Sequence, residues 1–383
     1  MKKTIEKAKA GNSADILRCI ATLFVFLLHG RSYITKINEL PSLLNWILCF
    51  PAWAGVWIFL FLSGYGVGYG FFSSKYTLYK NDKFSFKMLA KFYVGRFIKI
   101  APLYYIYCLI FELLSSDAFL WNNSKILLKM ITFSFNGSDA ASGLGHLWYI
   151  SLAMQLYIFM PFIFLLMNRF LKSKYVWMIT LVGIVICGIF FRCYIVHKGY
   201  DWYTYSYTNC LVNVDLVALG MLTSNIKLNY AITIKKKKLI KCISGLIFGL
   251  LVMYNCFIYE LNTENMLFIY RCILPTAYAI CCILILLLSG DNSEDRKRSF
   301  FARIVASFSK HSYAFYIWHI AVFRYINLTL VQTVWFSERN AIVQYVIFFA
   351  VCFIINLILA RIFTGISEKL LANYYKFEKK ANK

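Results

Sequence analysis

The sequence predicts an all-α, polytopic integral membrane protein with about ten transmembrane helices. Hydrophobic residues make up 60% of the 383 positions and charged residues only 15%, and the mean hydropathy is +0.62. Soluble domains carry about 25% charged residues. Apolar segments suited to a bilayer core of about 30 Å recur along the chain. We expect a single membrane domain over residues 1–383, with no appended soluble domain.

Ten apolar segments account for this prediction. They span approximately 14–34, 43–72, 98–115, 146–168, 175–196, 209–224, 239–259, 268–289, 310–331 and 341–363. Pro51 predicts a break or kink in the second segment. Residues 84–89 favour a surface-lying amphipathic helix before the third. Because Arg18 interrupts the first segment and no small-residue cleavage site follows Leu28, we predict a retained helix rather than a signal peptide.

Lysine and arginine concentrate in the loops of one side. When the loops are assigned alternately to the two sides, 31 of the 41 basic residues fall in one set and 9 in the other. The positive-inside rule then places both termini, with short basic tails at 1–13 and 364–383, in the cytoplasm. This accounts for the net charge of +24 without a nucleic-acid partner. The cysteines show no C-x-x-C spacing, so we interpret them as reduced packing residues and expect no metal site.

Arg18 and His29 are the first candidate pair, separated by ten uncharged residues. Eleven helical steps make three turns plus about 20°, so both side chains share one face, about 16 Å apart along the axis. Ionisable groups inside a membrane helix are costly unless they line a polar cavity. The alternative is that Arg18 extends to the lipid headgroups while His29 is a hydrogen-bonded core residue.

Polar and aromatic residues in four other stretches are further candidates. They are Ser63, closing the second segment; Arg96 and Lys99, at the start of the third; His146, Trp148 and Tyr149, opening the fourth; and Ser312, Tyr316 and His319, on one face of the ninth.

Several of these candidates have two open interpretations. Ser312, Tyr316 and His319 either line a site or form a structural hydrogen-bond cluster. His146 either contacts a bound substrate or caps a helix. We expect His197 and His311 in solvated loops or at helix ends. Asp215 either lines a cavity or faces water.

Taken in order, these motifs resemble the acyltransferase 3 family of bacterial membrane enzymes. The resemblance covers R-x10-H at Arg18, the stretch 59–64, R-x-x-K-I-x-P-x-Y-Y at Arg96, H-L-W-Y-x-S-x-x-x-Q-x-Y at His146, and S-Y-x-x-Y-x-x-H at Ser312. Each motif alone is weak, but five in order across essentially the whole chain are specific.

The resemblance implies an enzyme of the inner (cytoplasmic) membrane. It would move an acyl group, usually acetyl, from cytoplasmic acyl-CoA to a hydroxyl of a cell-surface polysaccharide or lipid-linked glycan. Arg18 and His29 match the family's essential pair. Lys99 stands where the family usually has arginine, and Ala153 and Met154 stand where many members have glutamate.

The chemistry of the residues agrees with that implication. Acyl transfer to a hydroxyl needs a base that titrates near neutrality, and we expect His29 to supply it. Arg18, Arg96 and Lys99 are expected to bind the phosphates of acyl-CoA. Ser63, Trp148 and the remaining candidates would line the cavity on the acceptor side. Membrane lipids are the remaining expected partners.

Two other classes of protein fit the composition. One is a transporter or flippase of a glycan or lipid precursor, although the sequence contains no evident inverted repeat. The other is a non-catalytic membrane scaffold. Neither of these would consume acyl-CoA, so that reaction separates them from an enzyme.

We predict that reporter fusions at Lys383 and within residues 116–145 will lie on opposite sides of the membrane, because of the loop charge asymmetry. Alkaline phosphatase and fluorescent-protein fusions measure this directly. Two fusions on the same side would contradict the predicted topology.

Overall fold

The computed structural model describes residues 12–42, 44, 52–73, 75–80, 83–114, 124–136, 144–170, 173–229, 237–261, 264–288 and 299–381. Its helices are α1 (Asn12–Arg31), α2 (Ala52–Phe72), α3 (Phe86–Leu114), α4 (Ser124–Thr132), α5 (Trp148–Phe170), α6 (Lys174–His197), α7 (Val214–Asn229), α8 (Lys237–Leu261), α9 (Glu264–Cys272), α10 (Leu274–Leu287), α11 (Phe300–Ile326), α12 (Val334–Ser337) and α13 (Ala341–Ala381). Single turns of 3-10 or π helix occur at Ile37–Glu39, Gly145–Leu147, Tyr203–Tyr207 and Asn327–Val331. Strands β1 (Tyr79–Lys80) and β2 (Lys83–Phe84) form a two-residue antiparallel pair.

The all-α membrane class is confirmed. Among the described residues, seven helices are long and apolar enough to cross a bilayer, namely α1, α2, α3, α5, α6, α11 and α13. Shorter apolar helices cover Leu239–Tyr254 in α8 and Leu274–Leu287 in α10. The count of ten spans and the sidedness of the termini therefore stay predictions. Pro51 lies outside the described residues, so the kink predicted there is not tested.

Helix α3 differs from the sequence prediction at its start. The prediction of a separate surface helix near residues 84–89 is wrong. Residues 86–89 form the first turn of a continuous helix that ends at Leu114. The Ser85 hydroxyl accepts from the backbone N–H of Met88 at 3.4 Å and so caps this first turn. The basic residues that suggested a surface helix instead occupy the first turns of α3, where long cationic side chains can reach water.

Three other segment boundaries are corrected. The segment predicted at 268–289 is divided, because Pro275 lacks an N–H and cannot continue α9 into α10. The tail predicted at 364–383 is a direct extension of α13 as far as Ala381. Helix α11 begins at Phe300, ten residues before the predicted 310, so His311 lies within it, half-buried, rather than in a loop or at a helix end.

Helices α2 and α7 pack backbone to backbone. A Cβ at Gly64 would lie 2.7 Å from the carbonyl carbon of Val217, and one at Gly68 would lie 2.8 Å from the Cα of Met221. Two glycines four residues apart on one face of α2 allow this close approach. Gly66 has open space around it instead and lines a cavity described below.

A buried ion pair joins α6, α7 and α10. The Arg192 guanidinium donates to the Asp215 carboxylate at 2.7 Å and to the Thr276 hydroxyl at 3.1 Å. The side chains of Arg192 and Asp215 are 1% and 6% exposed. Both expectations for Asp215 are therefore wrong, because it neither faces water nor lines one of the cavities described below.

We predict that Gly64→Val lowers the stability of the purified protein by about 1–3 kcal/mol, because the Val217 backbone cannot move away from a new side chain. Thermal unfolding in detergent, followed by loss of the monodisperse species, measures the effect. Gly183→Val in α6 is the control, since that glycine is exposed and has open space around it. Equal unfolding midpoints for the two variants would contradict the close packing.

Candidate active site

A cavity of about 470 Å³ opens among α1, α2, α3, α5, α11 and α13, and we call it the basic cavity. Its walls carry four cations, and its described lining residues include no carboxylate. The cations are Arg18, Lys75, Arg96 and Lys99. Ser63, Tyr149, Ser312 and Tyr316 also line it. Four positive charges without acidic partners in the wall create a field that attracts a multiply charged anion.

Arg18 is held in the basic cavity by a small polar network. Its Nη1 donates to the Ser309 hydroxyl at 2.8 Å and contacts the Asp15 carboxylate at 3.3 Å. The Ser309 hydroxyl donates in turn to Asp15 at 2.7 Å. One nitrogen of the Arg18 guanidinium is therefore held by residues of α1 and α11. A guanidinium carries five N–H donors, so the remaining edge can bind an anion.

Arg96 is positioned by aromatic rings. Its guanidinium carbon lies 5.2 Å from the ring centroid of Tyr157 and 5.5 Å from that of Phe92. Its Nε is buried and donates to no residue in the described part of the chain. Cation–π contact orients the group without neutralising it, so its charge remains available to a ligand.

Three histidines from distant parts of the chain meet beyond the basic cavity. His29 Nδ1 lies 2.7 Å from His319 Nε2, and their rings stack with centroids 4.9 Å apart. The His146 ring stands edge-on to His319 at 5.4 Å. His146 Nε2 donates to the Ile317 carbonyl at 3.1 Å. Because it is buried against α11, His146 binds the backbone of that helix instead of capping its own.

The hydrogen bonds assign the tautomers of two neutral imidazoles. His319 Nδ1 contacts the carbonyl oxygen of Tyr316, which can only accept, so Nδ1 carries the proton. The Nε2 of neutral His319 is then an acceptor, and the His29 Nδ1 that faces it must be the donor. It follows that the Nε2 of His29 holds a lone pair and can accept a proton.

His29 lines a second, smaller cavity of about 60 Å³, which we call the aromatic cavity. Trp53, Trp148, Tyr203, Tyr207 and Tyr316 are its aromatic walls. Tyr316 also lines the basic cavity, and its hydroxyl donates to the His146 carbonyl. The Tyr316 ring is thus the partition between the two cavities. Arg18 and His29 share a helix but open into different cavities, whereas the sequence predicted a shared one.

The structure sorts the predicted site residues into three places. Arg18, Ser63, Arg96, Lys99, Tyr149, Ser312 and Tyr316 line the basic cavity; His29, Trp148 and Tyr316 line the aromatic cavity; and His146 and His319 support His29. Of the residues assigned from the sequence to a merely solvated role, His197 is exposed at the end of α6, in agreement with that prediction.

Several lining residues were missed in the sequence. Lys75 and Tyr375 line the basic cavity, and Tyr203 and Tyr207 line the aromatic one. The run Trp202 to Tyr207, with four aromatic residues in six, was a visible signal for the latter pair. Tyr375 was missed because the C-terminal stretch was predicted to be a tail separate from the last helix.

The match to known families is extensive. The sequence model of the family described as "Acyltransferase domain" (Acyl_transf_3) matches residues 12–361. The chain belongs to the acyltransferase 3 family. The resemblance first noted in the motifs is thereby confirmed.

One similar sequence is the Regulator of hypoxia-inducible factor 1 of Caenorhabditis elegans. It is 28% identical over 199 residues, which cover 46% of this chain and 38% of the Caenorhabditis elegans protein. The chain therefore spans well under half the length of that relative. No solved structure matches the chain significantly.

We predict that His29 is present as the Nδ1–H tautomer, because His319 accepts from that nitrogen. In ¹⁵N-histidine spectra of the protein in lipid, the His29 signal should show a protonated Nδ1 and an unprotonated Nε2. His319→Leu removes the acceptor and should release His29 to a mixture of tautomers. His197→Gln, at an exposed helix end, should leave the His29 signal unchanged. An Nε2–H tautomer in the wild type would contradict the assignment.

Proposed function

We propose that this acyltransferase moves an acyl group, in particular acetyl, from acyl-CoA to a hydroxyl of a cell-surface polysaccharide or lipid-linked glycan. The observation that carries the proposal is the position of His29. Its Nδ1 is occupied by His319 and its Nε2 is left as a base, on a cavity that shares the Tyr316 side chain with the cation-lined one.

The basic cavity supports an anionic acyl donor. CoA carries phosphates on a long neutral arm that ends in the thioester. Arg18, Arg96 and Lys99 supply the positive charge such phosphates require. Beyond the cations the cavity continues to the ring of Tyr316. We infer that the phosphates bind at the cations and that the arm extends along α1 toward His29.

The aromatic cavity supports a carbohydrate acceptor. Trp53, Trp148 and Tyr207 form a cluster with centroid separations of 4.7 Å between Trp53 and Tyr207 and 4.9 Å between Trp148 and Tyr207. Indole and phenol rings provide large, rigid, apolar faces with a polar edge, which suits the apolar face and hydroxyl rim of a sugar ring. A volume of about 60 Å³ admits an acyl group and one hydroxymethyl-sized substituent, so the rest of the glycan would lie outside.

The proposed reaction balances without metal or redox chemistry. The Nε2 of His29 removes the proton from the acceptor hydroxyl, and the oxygen attacks the thioester carbonyl. The C–S bond breaks as the tetrahedral species collapses, and the imidazolium returns its proton to the leaving thiolate. The products are the glycan ester and free CoA. Tyr316 must turn aside to let the thioester reach His29.

We further propose that the protein resides in the inner (cytoplasmic) membrane with the basic cavity facing the cytoplasm, where acyl-CoA is made. Lys75 follows the end of α2, and Arg96 and Lys99 lie in the first half of α3, so these cavity cations are on the side of the basic loop between the two helices, which supports this orientation. Membership of an acyltransferase family favours the enzyme over the transporter considered from the sequence.

We predict that His29→Gln lowers acetyl transfer by on the order of 10²–10⁴, because an amide keeps a hydrogen bond to His319 but cannot take the hydroxyl proton. Radiolabelled acetyl-CoA with membranes and candidate glycans gives the rate. His197→Gln is the control and should retain wild-type activity.

The outcome shows whether His29 acts as a general base or has a structural role. A His29→Gln protein that is monodisperse in detergent and transfers acetyl within a few-fold of wild type would show a structural histidine. The proposed mechanism would then be lost.

A further inference from the structure

A third cavity, of about 340 Å³, adjoins the basic cavity, and we call it the amide cavity. It lies among the ends of α2, α5 and α7 and the segment that leads into β1. Tyr76 lines both cavities and is the wall between them. The described lining of the amide cavity carries no charge; its polar side chains include Asn168, Asn225 and Asn229, which accompany phenylalanine and tyrosine rings.

Asn225 on α7 has a buried polar atom without a hydrogen-bond partner among the described residues. It is 6% exposed, and its Oδ1 accepts no hydrogen bond from any residue that the structure describes. The two preceding residues satisfy their hydroxyls within the helix, Thr223 to the Leu219 carbonyl and Ser224 to the Met221 carbonyl. A buried amide oxygen without a donor destabilises the fold. Asn225 also lines the cavity, so a ligand there can donate to this oxygen once the side-chain amide turns toward it.

The lining chemistry selects the class of ligand. A wall of amides and aromatic rings without cations does not suit a phosphate. It suits a flat, neutral heterocycle that can stack and form hydrogen bonds in its plane. Asparagine pairs with the amino and ring nitrogens of adenine, and stacking on aromatic side chains stabilises a bound base. Phe72 and Tyr79 are the least buried rings of the wall and can provide such a face.

The order of the cavities matches the order of groups in an adenine-nucleotide thioester. The aromatic cavity adjoins the basic cavity at Tyr316, and the basic cavity adjoins the amide cavity at Tyr76. In acyl-CoA the acyl end, the phosphates and the adenine follow one another in the same order. Cations therefore meet the phosphates at the centre, and neutral amides meet the base at the end.

We propose that the amide cavity binds the adenine base of the acyl donor, with the Oδ1 of Asn225 accepting from the exocyclic amino group. Asn168, exposed on the rim, contacts the same base. This assignment rests on the proposed function, since it presumes a CoA thioester as donor.

Binding to the full-length protein in nanodiscs tests the assignment. The probes are acetyl-CoA, its 1,N6-etheno analogue, whose amino group is blocked, and S-acetyl-4′-phosphopantetheine, which lacks the base. Wild type should bind acetyl-CoA about tenfold tighter than the etheno analogue, the value of one buried hydrogen bond. Asn225→Leu should bind these two equally, and it should bind the phosphopantetheine thioester as tightly as wild type does.

Two further variants keep the test interpretable. Lys99→Ala should weaken acetyl-CoA and the phosphopantetheine thioester by the same factor, because both keep a phosphate near the cations. Asn168→Ala changes an exposed residue and replaces Asn225→Leu in the test if the latter protein does not fold. It should also reduce the ratio between the affinities for acetyl-CoA and for the etheno analogue.

The possible failures are distinct. Wild-type protein that binds none of the three probes overturns the proposed function together with the adenine site. Wild-type protein that binds acetyl-CoA, with the same discrimination in every asparagine variant, overturns the adenine site alone.

Discussion

The hydrogen bond between His29 and His319 joins two helices whose contacting residues are 290 positions apart, and the site depends on it. Further contacts follow the same seam between α1 and α11. Arg18 binds Ser309 at 2.8 Å near one end, and Asn327 donates to the Tyr33 carbonyl at 2.9 Å just beyond the other end. Between these polar contacts the Phe26 ring packs against Phe323 with centroids 4.8 Å apart. In an apolar medium such contacts have little water to compete with them, so they fix the register of the two helices.

That register explains why Arg18 and His29 can act on different parts of one molecule. Both belong to a straight, continuous helix, so their separation along the axis is set by helix geometry. The partners differ: a hydroxyl and a carboxylate hold the arginine, while a second imidazole holds the histidine. The partners of Arg18 hold its positive charge in place, and the partner of His29 holds the lone pair of its Nε2 in place.

Local sequence patterns predicted many residues of this site, but not the contacts between residues that are far apart in the chain. Hydropathy located the long helices, and the motifs identified His146 and His319, which cluster with His29, but not Tyr203 and Tyr207 in the wall of its cavity. The sequence could not show that His146 and His319 belong to one cluster, because contacts across more than 150 residues leave no mark in local spacing. It also failed at Asp215. Isolated acidic residues in apolar segments suggest a water-filled cavity, whereas here the charge is compensated by Arg192, a partner that only the packing of α6 on α7 reveals.

Tyr316 has a consequence for the membrane itself. Its ring lies between Phe59 and Tyr149, with centroid separations of 6.5 Å and 5.4 Å, and its hydroxyl is tied to the His146 backbone. A water-filled path that ran unbroken through the bundle would conduct protons and small ions down the transmembrane voltage, a driving force of about 2.3 kcal/mol per charge for each 100 mV. The Tyr316 ring interrupts such a path where the two cavities adjoin, so both can be hydrated without forming one continuous channel there.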